Sequence, residues 1–272
     1  MPVDLHVHTT ASDGTDSPQE VVKKARGIGL EAVAITDHDT FEGVEPAIAA
    51  GKKEKIEVIP GIELGSEYQG DEIHFLGYLI KTDNHEFLEK LDLFRSTRII
   101  RMEKMIMKLR EYGFPIDMEK VLAISGSGTV GRPHLAAAMV ETGVVKNVSE
   151  AFEVYIGVGR PAYVPRYKLV PVEAVRLILT AGGIPVLAHP GLNRSTLIIR
   201  ELIDAGLAGV EAYHPAHSRE QESYYKRLAD EYGLLVTGGS DYHGPGHKAG
   251  CRLGLGTVPY KTVQKLREKK HN

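Results

Sequence analysis

Asp4-Leu5-His6-Val7-His8 near one end of the chain and Ser240-Asp241-Tyr242-His243 near the other carry one pattern. Two side chains able to hold a metal ion stand two residues apart where an apolar run gives way to a loop. In an extended strand such residues point to the same face, so one ion could take both. Working inward, apolar runs at residues 3–8, 32–35, 56–59, 72–79, 184–188, 209–213 and 234–237 read as seven strands, and six strand ends carry His, Asp or Glu. Helical patterns with glycine stops precede the later strands. Ser17-Pro18-Gln19-Glu20 gives the first helix an N-cap, a proline at the first helical position and a capping-box Glu. This alternation predicts an α/β fold, most simply a parallel barrel with its chemistry at the carboxyl ends of the strands.

The candidate ligands are His6, His8, Asp13 in a Ser-Asp-Gly turn, His38 within Asp37-His38-Asp39, Glu63 after a Pro60-Gly61 turn, His74, His189, Asp241 and His243. Some have ordinary explanations when taken singly, such as a turn-forming Asp or a capping loop. Glu63, and His74 inside an otherwise apolar strand, are harder to dismiss, because burying an unpaired charge or imidazole costs several kcal/mol. Their joint recurrence at strand ends points to a polynuclear metal site.

Composition limits what such a site can belong to. The 272 residues, 42% of them hydrophobic, can supply a sizeable core. A single cysteine, Cys251, excludes an intramolecular disulfide framework and a cysteine-rich zinc cluster, which leaves imidazole and carboxylate as ligands. The start has no basic and apolar leader pattern, and no run approaches the roughly 20 apolar residues of a membrane span. A cytoplasmic protein without a membrane partner is expected. The formal charge of -3 argues against binding of duplex DNA, so a nucleic acid ligand should be short or held at its end.

The strand rhythm breaks in the middle. Residues 84–112 read as one long helix closed by Gly113 and Pro115, followed by helical patterns at 117–123, 132–142 and 148–155. Residues 93–168 are therefore expected to form a small helical insertion between the barrel segments 1–92 and 169–272. Such an insertion could act as a substrate-selecting cap that excludes water.

Asp4-Leu5-His6-Val7-His8-Thr9 with Ser12-Asp13-Gly14, Thr36-Asp37-His38-Asp39, Gly61-Ile62-Glu63, His189-Pro190 and Gly239-Ser240-Asp241-Tyr242-His243 resemble the four-motif signature of the polymerase and histidinol phosphatase (PHP) family of metal-dependent phosphoesterases. The resemblance implies a distorted (β/α)7 TIM-like barrel holding three divalent ions, manganese, iron or zinc. It assigns His6, His8, Glu63 and Asp241 to one ion, and Asp13, His38 and His243 to a second. Glu63 would bridge to a third, completed by His74 and His189. Asp37 and Asp39 are candidates to orient imidazoles, and Asp37, His189 and His214 are the candidate catalytic residues beyond the ligands.

Within the family, the length, the insertion and Gly131-Arg132-Pro133-His134 most resemble nucleoside 3',5'-bisphosphate phosphatases, some of which also shorten RNA from its 5' end. Arg95, Arg98 and Arg101 recur every three residues and share a broad helix side, while Arg132 and His134 start another helix, whose N-terminus favours anions. Arginine forks suit a phosphate that is held rather than cleaved. Arg98, Arg101, Arg132 and His134 are thus expected to bind substrate. The predicted reaction is attack of metal-bound hydroxide on the 3'-phosphate of a nucleoside 3',5'-bisphosphate, with a short 5'-phosphorylated oligoribonucleotide as a second substrate. A histidinol phosphate phosphatase, a noncatalytic PHP module and a metal-dependent amidohydrolase are the competing readings.

Overall fold

The computed structural model describes residues 2–126, 129–165, 169–193, 195–245 and 251–271. The first strand, β1 (Pro2–Val7), leads to α1 (Pro18–Gly27), which starts on the expected capping box. Ser17 Oγ accepts from the Glu20 backbone N–H at 3.3 Å, and the Ser17 N–H donates to the Glu20 carboxylate at 2.8 Å. After β2 (Ala32–Ile35) and α2 (Val44–Glu54) comes β3 (Glu57–Tyr68). Where a short strand and a Pro-Gly turn were expected, β3 runs straight through Pro60-Gly61 for 12 residues. The physical reason is a change of partner. Residues 57 to 60 pair with β2 and residues 61 to 68 with the next strand, so the N–H that Pro60 lacks falls at the hand-over.

That next strand, β4 (Asp71–Tyr78), corrects the expectation of an all-parallel barrel, because it is antiparallel to both neighbours. Only Gln69 and Gly70 separate it from β3, whereas a parallel crossover needs a dozen or more residues. Both have positive φ, 51° and 92°, as a two-residue type I′ hairpin turn requires. The reversal decides where His74 lies. It stands opposite Gly65 in the ladder, diagonal to Glu63, and so reaches the same end of the barrel as the carboxyl ends of the parallel strands.

The chain then enters α3 (His85–Glu111), capped by Asn84, whose side chain accepts from the Phe87 N–H at 2.9 Å. It continues through α4 (Met118–Ser125), α5 (Arg132–Glu141) and α6 (Val148–Ala151), the last running on as a π-helical turn over Phe152–Ile156. The βα rhythm resumes with α7 (Pro171–Thr180), β5 (Ile184–Leu187), α8 (Ile199–Asp204), β6 (Gly209–Tyr213), α9 (Arg219–Tyr232) and β7 (Leu235–Gly238). The chain finishes with β8 (Val258–Pro259) and α10 (Lys261–His271).

The sheet order is β7-β6-β5-β4-β3-β2-β1-β8. A parallel bridge from Val7 to Tyr242, with the His8 N–H donating to Tyr242 O at 2.9 Å, nearly closes the ring between β7 and β1. Gly239 makes that closure possible, since a Cβ there would sit 2.4 Å from the backbone N and the Cβ of His6.

Two compact units result, Met1–Leu88 with Leu169–Asn272, and Glu89–Lys168. The barrel unit buries Leu5, Ile59, Leu76, Tyr78 and Val186 in one cluster, and Val21, Val22, Ile35 and Val44 in another. The second unit has its own core of Met102, Met105, Leu109, Ile116, Leu135 and Met139. Among the described residues no helix is long and apolar enough to cross a membrane.

Candidate metal centre

Glu63 organises the site. Its Oε2 lies 3.3 Å from His6 Nε2, 3.2 Å from His8 Nε2 and 3.1 Å from His38 Nδ1. Its Oε1 lies 2.9 Å from His74 Nδ1 and 3.0 Å from His189 Nε2. Each oxygen of one carboxylate thus addresses a different set of imidazoles. The alternation of β1 puts His6 and His8 on one face, where their Nε2 atoms approach to 3.1 Å, and Asp241 Oδ1 stands 3.5 and 3.3 Å from them. His38 reaches Glu63 because the end of β2 stays paired with β3, the Asp39 N–H donating to Glu63 O and the Glu63 N–H to Asp37 O. His243 Nε2 lies 3.4 Å from Asp13 Oδ1, and the His243 ring stacks on that of His8 at 4.0 Å.

Three groupings follow, in each of which one ligand atom per residue lies within 4.8 Å of the others: His6, His8, Glu63 and Asp241; His8, Asp13, His38 and His243; His38, Glu63 and His74. Eight of the nine residues expected to ligate fall in these groupings; His189, expected to complete the third, is in none of them, although its Nε2 lies 3.0 Å from Glu63 Oε1. The structure differs in detail by placing His8 at the seam between two groups and by bringing His38 to the Glu63–His74 pair.

These residues fit divalent ions on two grounds. Glu63 Oε2, Asp13 Oδ1 and His38 Nδ1 are buried and make no hydrogen bond, an arrangement that is costly without a ligand. Bonds of about 2.0–2.2 Å to a shared ion would also set neighbouring ligand atoms roughly 3 to 3.5 Å apart, which is the spacing seen.

Electrostatics agree. Burial pushes the Glu63 carboxyl up, but His38, His6 and His74 hold it well below the usual carboxylate range. His243 and His6 overcome burial at Asp241 in the same way, and His243 and His38 do so at Asp13. Burial lowers His6, yet Glu211, Glu63 and Asp241 carry it well above its usual value. His8, also lowered by burial, is raised to about 9 by its contacts with Asp241 and Glu63. At His38 burial wins, taking it down to about 3. The carboxylates therefore stay ionised, while His6 and His8 hold protons that an ion would have to displace.

The PHP domain family matches residues 4–114. A 5'-3' exoribonuclease of Haemophilus influenzae is 34% identical over 89% of this chain and 90% of its own length. A 3',5'-nucleoside bisphosphate phosphatase of Chromobacterium violaceum is 32% identical over 90% and 88%.

The chain belongs to the PHP family.

A crystal structure from Bifidobacterium adolescentis, described as that of a proposed metal-dependent phosphoesterase, superposes on this PHP chain with a TM-score of 0.90 at 33% identity, covering 97% of this chain and 94% of that one.

Around the PHP cluster the remaining candidates take different places. His214 is buried, with Nδ1 accepting from the Ala216 N–H at 3.1 Å and Nε2 standing 3.6 Å from Asp241 Oδ2. Asp37 is turned elsewhere. Its Oδ1 accepts from the Thr9 N–H at 2.7 Å and from Ser12 Oγ at 2.6 Å, and its Oδ2 accepts from Thr9 Oγ1 at 2.8 Å. Those bonds tie down the loop that carries Asp13, where an imidazole partner was expected.

Within the insertion, the Arg101 guanidinium lies 5.5 Å from the Tyr163 ring centroid and that of Arg132 lies 5.7 Å from it. Arg101 Nε donates to Val164 O at 2.7 Å, and the Arg98 guanidinium approaches Gly131 at the start of α5. His134 Nδ1 accepts from the Gly131 N–H at 3.0 Å, so a neutral ring carries its proton on Nε2.

Sequence reasoning missed two residues. Tyr163 gives no pattern in the sequence. Glu211, wholly buried, lies 3.0 Å from His6 Nδ1, and a lone acid inside the apolar run Gly-Val-Glu-Ala-Tyr was the signal that could have revealed it.

Proposed function

We propose that this chain is a metal-dependent phosphoesterase that removes the 3'-phosphate of nucleoside 3',5'-bisphosphates, giving the nucleoside 5'-monophosphate and phosphate. The same site would shorten short 5'-phosphorylated RNA from its 5' end. The observation that carries this reading is the division of the two Glu63 oxygens between His6, His8 and His38 on one side and His74 and His189 on the other. His6, His8, Glu63 and Asp241 would hold one ion, Asp13, His38 and His243 a second, and Glu63, His74 and His189 a third. The donor set accepts manganese, iron or zinc. Bound ions would supply hydroxide near neutral pH and neutralise the phosphoryl oxygens during in-line displacement.

The chain's own groups do the rest. A neutral His214 keeps its proton on Nε2, because Nδ1 accepts from Ala216, and that atom faces Asp241. It is the group we assign to protonate the leaving oxygen. Asp37 fixes the loop bearing Asp13 through Thr9 and Ser12. Arg98, Arg101, Arg132 and His134 would hold the 5'-phosphate, with Tyr163 keeping two guanidinium planes in place. The phosphatase and exonuclease names of the relatives meet in this reading. Both substrates offer a 5'-phosphorylated nucleotide as a handle and a phosphate ester on its 3'-oxygen as the bond to cut.

The test is phosphate release from adenosine 3',5'-bisphosphate by the manganese-loaded chain, run beside histidinol phosphate and a short 5'-phosphorylated RNA, with His8→Ala as control. Conversion of the bisphosphate to the 5'-monophosphate, lost in the variant, is expected. An intact bisphosphate beside rapid histidinol phosphate cleavage would overturn the substrate assignment, and inertness towards all three esters would return the chain to a noncatalytic PHP module.

A further inference from the structure

Glu211 sits in β6 without exposed surface. An ionised carboxylate in such a place is costly unless its acceptors are filled. Its Oε1 lies 3.0 Å from His6 Nδ1, and its Oε2 accepts from the backbone N–H of His189 at 2.8 Å and lies 3.3 Å from His6 Nδ1. An ionised carboxylate only accepts, so His6 donates from Nδ1 and its Nε2 is turned to His8, Glu63 and Asp241. The other oxygen fastens a backbone in an unusual conformation. His189 has φ of 27°, in the left-handed region that a non-glycine residue occupies only when its surroundings impose it. With its backbone so held, the His189 ring brings Nε2 to Glu63.

We propose that Glu211 is a positioning residue that sets the His6 proton on Nδ1 and the His189 backbone at the same time, aligning the ligands on both sides of Glu63. Its effect on ligation rests on the metal reading above, whereas the contact itself does not. Glu211→Gln separates the two. The His189 N–H can only donate, so the amide oxygen turns to it and the amide NH2 faces His6 Nδ1. His6 can meet that donor only with its proton on Nε2, which removes the atom that would ligate.

The experiment is imidazole ¹H–¹⁵N NMR of the full chain, metal-free and zinc-loaded, with His6→Asn for assignment, together with zinc affinities of wild type and Glu211→Gln by chelator competition. A slowly exchanging Nδ1–H of His6 is expected in both wild-type states. In Glu211→Gln it should vanish, with zinc affinity falling roughly ten- to a hundredfold. Absence of that resonance from the wild type would overturn the proposal even if the variant failed to fold, and so would unchanged zinc affinity in a folded variant. A wild type that shows the resonance but takes up no zinc would defeat the metal reading and reduce Glu211 to a structural acid.

Discussion

The barrel and the insertion set different groups around their charged side chains. At the barrel's carboxyl end His6, His8, Glu63, Glu211 and Asp241 are all buried, and each imidazole is matched by a carboxylate within about hydrogen-bonding distance. The insertion has an apolar core of methionine, leucine and isoleucine, and sets its arginines against aromatic faces and a backbone carbonyl. The difference separates two tasks. A cluster of ionised carboxylates and imidazoles suits cations that stay, whereas guanidinium groups set over aromatic rings suit an anion that comes and goes.

The sharpest way to break this division is at Glu63. Glu63→Gln removes the charge and leaves a single acceptor oxygen, so at most one imidazole set keeps its shared ligand. Metal content by mass spectrometry should fall by at least one ion per chain, and turnover by more than the roughly hundredfold that losing an outer partner costs. Full metal content with full activity would show that Glu63 does not organise the site.

Proton competition gives the next effect. His8 is raised to about 9 in the folded, metal-free protein, against an ordinary value near 6.5. The stabilisation this brings is complete below about pH 6.5 and is lost as pH rises through about 9. An incoming ion must displace the same proton, so apparent metal affinity should rise nearly tenfold from pH 7 to 8 and less steeply as pH nears 9, about fiftyfold in all. Thermal stability of the metal-free protein and metal affinity should therefore move in opposite directions over that window. Chelator competition and thermal melts at pH 7, 8 and 9 check both signs, and a flat affinity would mean that His8 carries no proton to displace.

The insertion answers to a different substitution. Arg132→Ala should leave metal content and hydrolysis of a 3'-monophosphate unchanged, and lower kcat/KM for the 3',5'-bisphosphate roughly ten- to a hundredfold, the range for a charge-assisted hydrogen bond. Equal losses on both substrates, measured by phosphate release, would remove the arginine from phosphate binding.

How far these features were legible in the sequence follows from what each interaction leaves behind. Strand-end histidines and acids are chemically distinct residues in apolar surroundings, so they were legible through their joint recurrence, with Glu63 and His74 the hardest to explain singly. The direction of β4 did not. It depends on Gln69-Gly70, a pair without the Asn or Asp that usually marks a type I′ turn. The continuity of β3 was hidden by Pro60-Gly61, which reads as a turn unless the change of strand partner is known. Glu211 was overlooked because its partners are a ring 205 residues away and a backbone amide, and neither leaves a local pattern. The boundary of the second unit at Glu89 falls inside α3, where helical periodicity continues unbroken. The π-helical turn over Phe152–Ile156 likewise changes hydrogen-bond partners without changing residue type.

The smallest expected effect tests whether the insertion's arginines are held or merely present. Tyr163 touches both Arg101 and Arg132 with its ring, contacts worth about 0.5–1 kcal/mol each at partly exposed sites. Removing the ring in Tyr163→Leu takes away a support without taking away a charge. KM for the bisphosphate should rise a few-fold to about tenfold with kcat nearly constant, because the phosphate concerned is bound and not cleaved. The change acts through Arg132, so Tyr163→Leu should cost less in an Arg132→Ala background than alone, a coupling that a double-mutant cycle reads directly. Strict additivity of the two substitutions would mean that Tyr163 packs the insertion without holding Arg132. The anion grip would then depend on guanidinium charge alone, with no aromatic plate to orient it.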